Sequence, residues 1–206
     1  MVLLDIAMKP PDGPMLVRDP VVLRVAGYGD YSAWTGLRRQ SQTHLARWEP
    51  AWTEADLTPA AFRARVRSQW RDIRRGCALP LLICRREDGA LVGGINLSNI
   101  RYGASRAASV GYWIGAPHLR RGYARAALEG VLEHAFETLR LNRIEAACQP
   151  ENRPSMALLE TCGFSQEGYA RAYLKINDAW RDHVLFAITA SDFAERRRVC
   201  SMVGAR

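Results

Sequence analysis

The sequence predicts a single α/β domain built on a mixed sheet, and three observations predict it. Apolar residues make up 48% and charged residues 24% of a 206-residue chain, a globular composition at the length of one domain with a full core. Short β-branched runs alternate with stretches of helical periodicity instead of segregating into separate halves. Turn signals at Glu87-Asp88-Gly89 and Asn177-Asp178 join neighbouring strands as hairpins, while the strand at 108–114 passes into a helix before the next strand begins. No internal repeat interrupts this order.

Each element has its own local reason. Residues 1–19 hold Pro10, Pro11, Pro14 and Gly13 and read as an N-terminal lead. Residues 21–25 alternate into a first strand, and 31–42 read as a helix that the segment His44 to Pro50 leaves. Thr58-Pro59 starts the next helix, Thr58 as N-cap and Pro59 at the first helical position, with Phe62, Val66, Trp70 and Ile73 on its inner face. Its arginines read as a solvated face. Residues 79–84 and 91–97 are strands, followed by the strand at 108–114. An amphipathic helix over 123–139 buries Ala124, Leu128, Val131, Leu132, Ala135, Phe136 and Leu139. Then come a strand at 143–148, a helix at 154–161 stopped by Gly163, and a hairpin of 169–176 with 180–188. Residues 194–206 read as a basic, mobile C-terminal tail.

Composition excludes several classes of function. No apolar run is long enough to span a bilayer, and residues 1–8 carry Asp5 with no cleavage pattern after them, so neither a membrane anchor nor a secretory signal is expected. Five cysteines in no C-x-x-C pair point away from a disulfide framework and towards a reducing cytoplasm. Four histidines without metal spacing give no metal site. The net charge is +8, and Lys9 and Lys175 are the only lysines, so arginine carries nearly all of it. Such a surface attracts polyphosphates or RNA, although no RNA-binding motif with interleaved aromatics appears.

The densest signal is the run from Trp113 to Leu128. A short strand ends in a basic turn, Leu119-Arg120-Arg121-Gly122-Tyr123-Ala124, that opens the long helix. Unpaired backbone N–H groups at the positive end of a helix dipole suit a pyrophosphate, and Gly122 lets the backbone approach it closely. The spacing is neither a Walker loop nor a dinucleotide fingerprint.

Three further segments join this turn: Glu151-Asn152-Arg153-Pro154-Ser155 ahead of Leu158 to Phe164, then Glu167-Gly168-Tyr169, then Tyr173 to Asn177 with Trp180 to Leu185. With Trp48-Glu49-Pro50 they resemble the GNAT acetyltransferase superfamily and, within it, the Rim-type ribosomal-protein-alanine N-acetyltransferases of the RimJ branch. The resemblance covers residues 20–193. It implies a single GNAT-like domain with a mostly antiparallel central sheet flanked by helices and two splayed strands that hold acetyl-CoA, with no metal. It further implies a protein N-terminus as acceptor, that of a ribosomal protein, possible contact with the ribosome, and no membrane partner. Two departures stand out. Leu119 occupies a position where the family usually has Gln or Arg, and Leu159 one where many superfamily members carry a proton-donating tyrosine.

The resemblance assigns roles residue by residue. Tyr112, Trp113 and Ile114 present a strand edge to pantetheine, and a backbone N–H at Trp113 or Ile114 faces the developing oxyanion; Tyr112 and Trp113 equally suit core packing. Residues 119–124 hold the pyrophosphate. Asn152 is a cofactor contact or a helix cap. Ser155 binds the cofactor sulfur and donates the proton that the leaving thiolate needs, or serves only the helix start. An N-terminal amine has a pKa near ~8, so a modest base suffices; Glu49 and Glu167 are the candidates, Glu167 being the more structural. Trp48, Glu49, Tyr173 and Trp180 form the acceptor side. Asp182 and His183 point to opposite faces of a strand and read as sheet-stabilising. Cys148 and Cys162 read as buried apolar residues. Two other readings stay open: acetylation of a small amine on the same fold, and a weakly active acyl-CoA-binding or ribosome-associated module.

Overall fold

In the computed structural model, which describes residues 15–203, the first half of the chain lays down five successive antiparallel strands. They are β1 (Leu16–Arg18), β2 (Val21–Arg24), β3 (Leu79–Arg85), β4 (Leu91–Arg101) and β5 (Ala107–Ile114). β6 (Arg143–Cys148), β7 (Ser165–Ile176) and β8 (Ala179–Thr189) complete an eight-stranded sheet in the order β1-β2-β3-β4-β5-β6-β8-β7. The mixed, mostly antiparallel sheet expected from the sequence is therefore present. Among the described residues its parallel pairing is β5 with β6, and that pairing is short. Ala107, Ala108 and Ser109 register with Arg143, Ile144 and Glu145, and beyond them the two strands part.

Among the described residues six α-helices flank the sheet: α1 (Tyr31–Gln40), α2 (Gln42–Leu45), α3 (Pro59–Arg74), α4 (Tyr123–Glu133), α5 (Arg153–Thr161) and α6 (Ala190–Val203). Their ends follow local chemistry. The Thr58 side chain accepts from Ala61 N at the start of α3, with Pro59 in its first turn. Asn152 caps α5 through Ser155 N, and Gly163, at φ +90°, stops it in the left-handed region. Asn177 and Asp178 both take positive φ, as a two-residue turn that matches strand twist requires.

Two hydrophobic clusters cover the two faces. One joins the inner faces of α4 and α5 to β2 through β8; the other packs Trp34, Phe62, Val66 and Trp70 of α1 and α3 against Leu82, Cys84 and Leu91. Trp70 is buried and its indole donates to the Ala26 carbonyl at 2.8 Å, so its one polar group is satisfied.

The structure departs from the sequence expectations in several places: the segment expected to leave the helix at His44 includes the short helix α2, and β7 begins four residues ahead of the expected strand. Residues 16–18 of the N-terminal lead form β1, while residues 1–14 of that lead lie outside the described residues. The helix expected over 123–139 ends at Glu133 and continues as a wider π turn, His134–Thr138, from which Phe136 meets Phe193 of α6 at 5.2 Å between ring centroids. The expected basic tail from residue 194 is helical through Val203. α6 crosses the expected boundary at 193, with Phe193 buried and Arg196 donating to the Cys162 carbonyl at 2.8 Å. Its arginines conceal a helix that is held by a few anchoring contacts; it has no continuous apolar face for a periodicity argument to find.

Candidate active site

Where β5 and β6 part, a cleft of ≈ 780 Å³ opens, lined by both strands, the turn after β5, the start of α5 and the segment 44–49. The backbone decides what each wall offers. Gly115 N donates to Val92 O, and strict alternation along the β4–β5 register makes Trp113 with Gly94 the next hydrogen-bonded pair. The N–H groups of Tyr112 and Ile114 therefore point away from β4, into the splay. This corrects one expectation: of the two oxyanion donors read from the sequence, Ile114 faces the cleft, and Trp113 N–H is directed at β4. The Trp113 indole lies over Gly94, where a Cβ would fall 2.6 Å from its Nε1, so only glycine admits it.

The basic turn meets α4 at its N-terminus. Gly122 sits at φ +77°, ψ −4°, and a Cβ built there would find no atom within 4 Å. The space above it is open cleft. No side chain caps the helix, and the first bond within it is Ala126 N to Gly122 O. The N–H groups of residues 122–125 have no helical acceptor, and Arg120, Arg121 and Arg125 line the same space. The donor set and the empty cradle fit a pyrophosphate. Leu119 lines this wall too, beside backbone N–H groups that its side chain does not replace.

The floor carries a hydroxyl pair. Ser155 Oγ lies 2.9 Å from Tyr112 Oη. The helix cap belongs to Asn152, whose Oδ1 accepts from Ser155 N at 3.3 Å, so the Ser155 hydroxyl is not the capping group. Burial raises the Tyr112 phenol well above its ordinary value, against the lowering effect of Ser155, and the phenol keeps its proton. Leu159 lies one turn along α5, buried beside the pair. Cys148 also lines the floor, and burial pushes its thiol up to about 11.

Glu49 lies on the cleft wall in a pairing that the sequence did not reveal. Arg38 of α1 donates to both of its oxygens, at 2.9 and 2.6 Å. The buried guanidinium stands 4.9 Å from the Trp52 ring, 5.1 Å from Trp113 and 5.9 Å from Trp34. Glu49 is thus a fixed carboxylate at the cleft wall. Nothing in the spacing of positions 38 and 49 advertises this. Glu167 is outside the cleft, paired with Arg143 on the exposed sheet surface.

Trp48 lines the cleft; Tyr173 and Trp180 do not. Trp180 is exposed on the β7–β8 hairpin, and Tyr173 meets the cleft lining only through a tilted ring contact with His183, 5.4 Å between centroids. The hairpin tip is tied to the 44–49 segment by Asn177 donating to the Ala46 carbonyl, and Gln149, just after β6, is tied to it by Nε2 donating to Arg47 O at 3.1 Å. Asp182 is structural, as expected: it accepts from Tyr169 OH at 2.7 Å and Ala172 N at 2.8 Å, pinning a bulge in β7. His183, expected beside it in the same role, is buried and also lines the cleft. No group of metal-ligating side chains is assembled among the described residues, nor is any helix there long and apolar enough to cross a membrane.

Comparison with known proteins agrees with this geometry. The profile of the acetyltransferase (GNAT) domain matches residues 21–165. The [ribosomal protein uS5]-alanine N-acetyltransferase of Escherichia coli is 32% identical over 184 residues, 88% of this chain and 94% of that protein. A probable N-acetyltransferase of Bacillus subtilis, YjcK, is 41% identical over 178 residues, 86% of this chain and 98% of its own. Mycobacterium smegmatis RimJ, solved in complex with CoA-disulfide, superposes with a TM-score of 0.85 at 36% identity, covering 94% of this chain and 97% of that one.

Proposed function

This chain belongs to the GNAT acetyltransferase family and is an acetyl-CoA-dependent N-acetyltransferase, and from that premise we propose that its acceptor is a protein N-terminal α-amine, that of a ribosomal protein beginning with alanine. The observation that carries this reading is similarity along nearly the whole of a relative named for uS5-alanine acetylation. The cleft supports it by its charge. Its carboxylates are Glu49 and Glu151, and Glu49 is already met by Arg38, while Arg47, Arg120, Arg121 and Arg125 line the same walls. A basic cleft suits a polyanionic cosubstrate and a monoamine acceptor; a polyamine would need uncompensated acidic partners. The same reading places the protein in the cytoplasm, in contact with the ribosome.

Acetyl-CoA supplies the thioester. Residues 119–124 hold its pyrophosphate, Asn152 contacts it, and the edge of β5 at Tyr112 and Ile114 pairs with pantetheine as an added strand does. The amine attacks the carbonyl carbon directly. The Ile114 N–H, aimed into the splay, stabilises the oxyanion. As the C–S bond breaks, Ser155 Oγ gives its proton to sulfur and regains one from the nitrogen through water, so no net acid is consumed. Glu49 orients the amine beside Trp48, and Tyr173 and Trp180 on the hairpin meet the residues that follow it.

The test is a steady-state acceptor panel read as CoA release: alanine-initiated peptides of ribosomal proteins, free amino acids, spermidine and amino sugars. The proposal expects kcat/KM to be highest for the alanine peptides, and turnover confined to small amines would overturn it.

A further inference from the structure

The acceptor amine arrives mostly as an ammonium ion, and neither carboxylate considered as its base is well placed. Glu167 is outside the cleft, and both oxygens of Glu49 are held by Arg38. His183 has the missing properties. It lies on β8, opposite Ala170 in the register and next to Val184, which pairs with Cys148 at the cleft floor. Its ring is 3% exposed yet lines the cleft. Nδ1 is 3.1 Å from the Arg181 carbonyl oxygen, an atom that can only accept. The proton of the neutral ring is therefore on Nδ1, and Nε2 presents a lone pair with no protein partner among the described residues. Tyr173, carried over the ring by the β7 bulge, holds its plane in place.

We propose that His183 Nε2 is the general base that takes the proton of the acceptor ammonium, directly or through one water, before the amine attacks. This rests on the amine-acetylating function proposed above. The proton count closes: Nε2 accepts one proton from nitrogen, nitrogen's second proton reaches sulfur by way of Ser155, and the imidazolium returns its proton to solvent after transfer. The ionisable groups near the ring are Tyr173 from β7 and Asp182 on its own strand, with Glu49, Glu151 and Arg47 on the cleft walls and Cys148 of β6, the partner of Val184, on the cleft floor. Asp182 is already committed to the β7 bulge, and Cys148 stays a neutral thiol near pH 7, so neither competes for the proton.

The experiment compares kcat/KM for an alanine-initiated peptide against pH in wild type and His183→Gln, with acetyl-CoA affinity measured in both. Without the base only the already neutral amine reacts, and with an amine pKa near ~8 the deficit is about tenfold at pH 7 and under twofold at pH 9. A deficit of that shape with unchanged acetyl-CoA affinity supports the assignment. A deficit independent of pH, or none, overturns it, because a merely structural role does not shrink as the acceptor deprotonates itself. Should wild type acetylate only small amines, the N-terminal reading fails and the same comparison is run with the best of them, so the two failures remain distinct. A second measurement leaves the chain intact: side-chain ¹⁵N shifts of the His183 ring in wild type. An unprotonated Nε2 in the neutral ring supports the proposal, and an Nε2–H tautomer overturns it.

Discussion

Replacing Ser155 with alanine separates chemistry from architecture at the cleft floor. The substitution removes one hydroxyl. It leaves the start of α5 intact, because the cap runs from Ser155 N to Asn152 Oδ1 and needs no serine side chain. The stability cost is that of one hydroxyl pair at 2.9 Å, about 0.5–1.5 kcal/mol. The Tyr112 phenol retains the Ser155 carbonyl oxygen at 3.5 Å as a weaker acceptor, which keeps the cost near that range. The catalytic loss is larger, since a positioned proton donor contributes ~10²–10⁴-fold to rate. kcat and kcat/KM for the acceptor should fall together by about two orders of magnitude while acetyl-CoA affinity holds. Tyr112→Phe keeps the ring volume and deletes the partner that orients the serine proton. Losing one hydrogen bond of ~1 kcal/mol lowers kcat about fivefold. In Ser155→Ala the second change should then add almost nothing, because there is no serine proton left to orient. Stopped-flow single turnovers with calorimetric acetyl-CoA binding measure all four corners. A rise confined to the acetyl-CoA KM in Ser155→Ala, or additive effects in the pair, would refute the reasoning and make water the proton source.

Three other outcomes follow from the same geometry. Gly122→Val forces a β-branched residue to φ +77° and fills the open cradle above it, so acetyl-CoA binding by calorimetry should be lost at a stability cost of ~1–2 kcal/mol; unchanged affinity would remove the pyrophosphate from this turn. Arg38→Met leaves Glu49 without its guanidinium partner, and denaturant unfolding should register a loss below the ~3–5 kcal/mol of a fully buried broken pair, because Glu49 keeps 25% of its side chain exposed; acceptor KM should rise with it. Thiol labelling at pH 7.5 should modify exposed Cys77 well ahead of Cys84, Cys148 and Cys162; burial raises the last two to about 11, so their thiolates appear only as pH approaches that value, and rapid labelling of Cys148 near neutrality would contradict the structure.

How far the sequence discloses this site depends on the range of the interactions. The turn at Gly122, the Thr58 and Asn152 caps, the Gly163 stop and the Asn177-Asp178 hairpin are local, each written in a few adjacent residues, and each stands where the residues place it. Arg38 with Glu49 spans two elements, and no spacing rule joins them. The cleft position of His183 is hidden for a related reason. Alternation correctly puts it on the opposite face from Asp182, but which face meets the cleft depends on the splay of β5 from β6, and that depends on where their pairing stops at Ser109 and Glu145. α6 hid behind composition, because an arginine-rich segment carries no apolar periodicity even when Phe193 and Arg196 anchor it.

Leu159 deprives the cleft of an acid only while the helix is considered alone. Ser155 and Leu159 are four residues apart on α5 and share one face, and helical side chains lean towards the helix start. A tyrosine at 159 would reach back towards the ground that the Ser155 hydroxyl occupies. In this chain that ground is filled from the other side: Tyr112 on β5 brings a phenol to 2.9 Å from Ser155 Oγ, and Leu159 is free to pack into the core. The phenol enters from the strand and burial keeps it protonated, so in the proposed mechanism it would direct the Ser155 proton without giving up its own. Swapping the two positions is the decisive comparison. Leu159→Tyr placed on Tyr112→Phe should recover part of the lost kcat if the requirement is for a hydroxyl at that point in space. It should recover none if the Ser155 proton must be aimed from β5, and solvent isotope effects on single turnover separate the two outcomes.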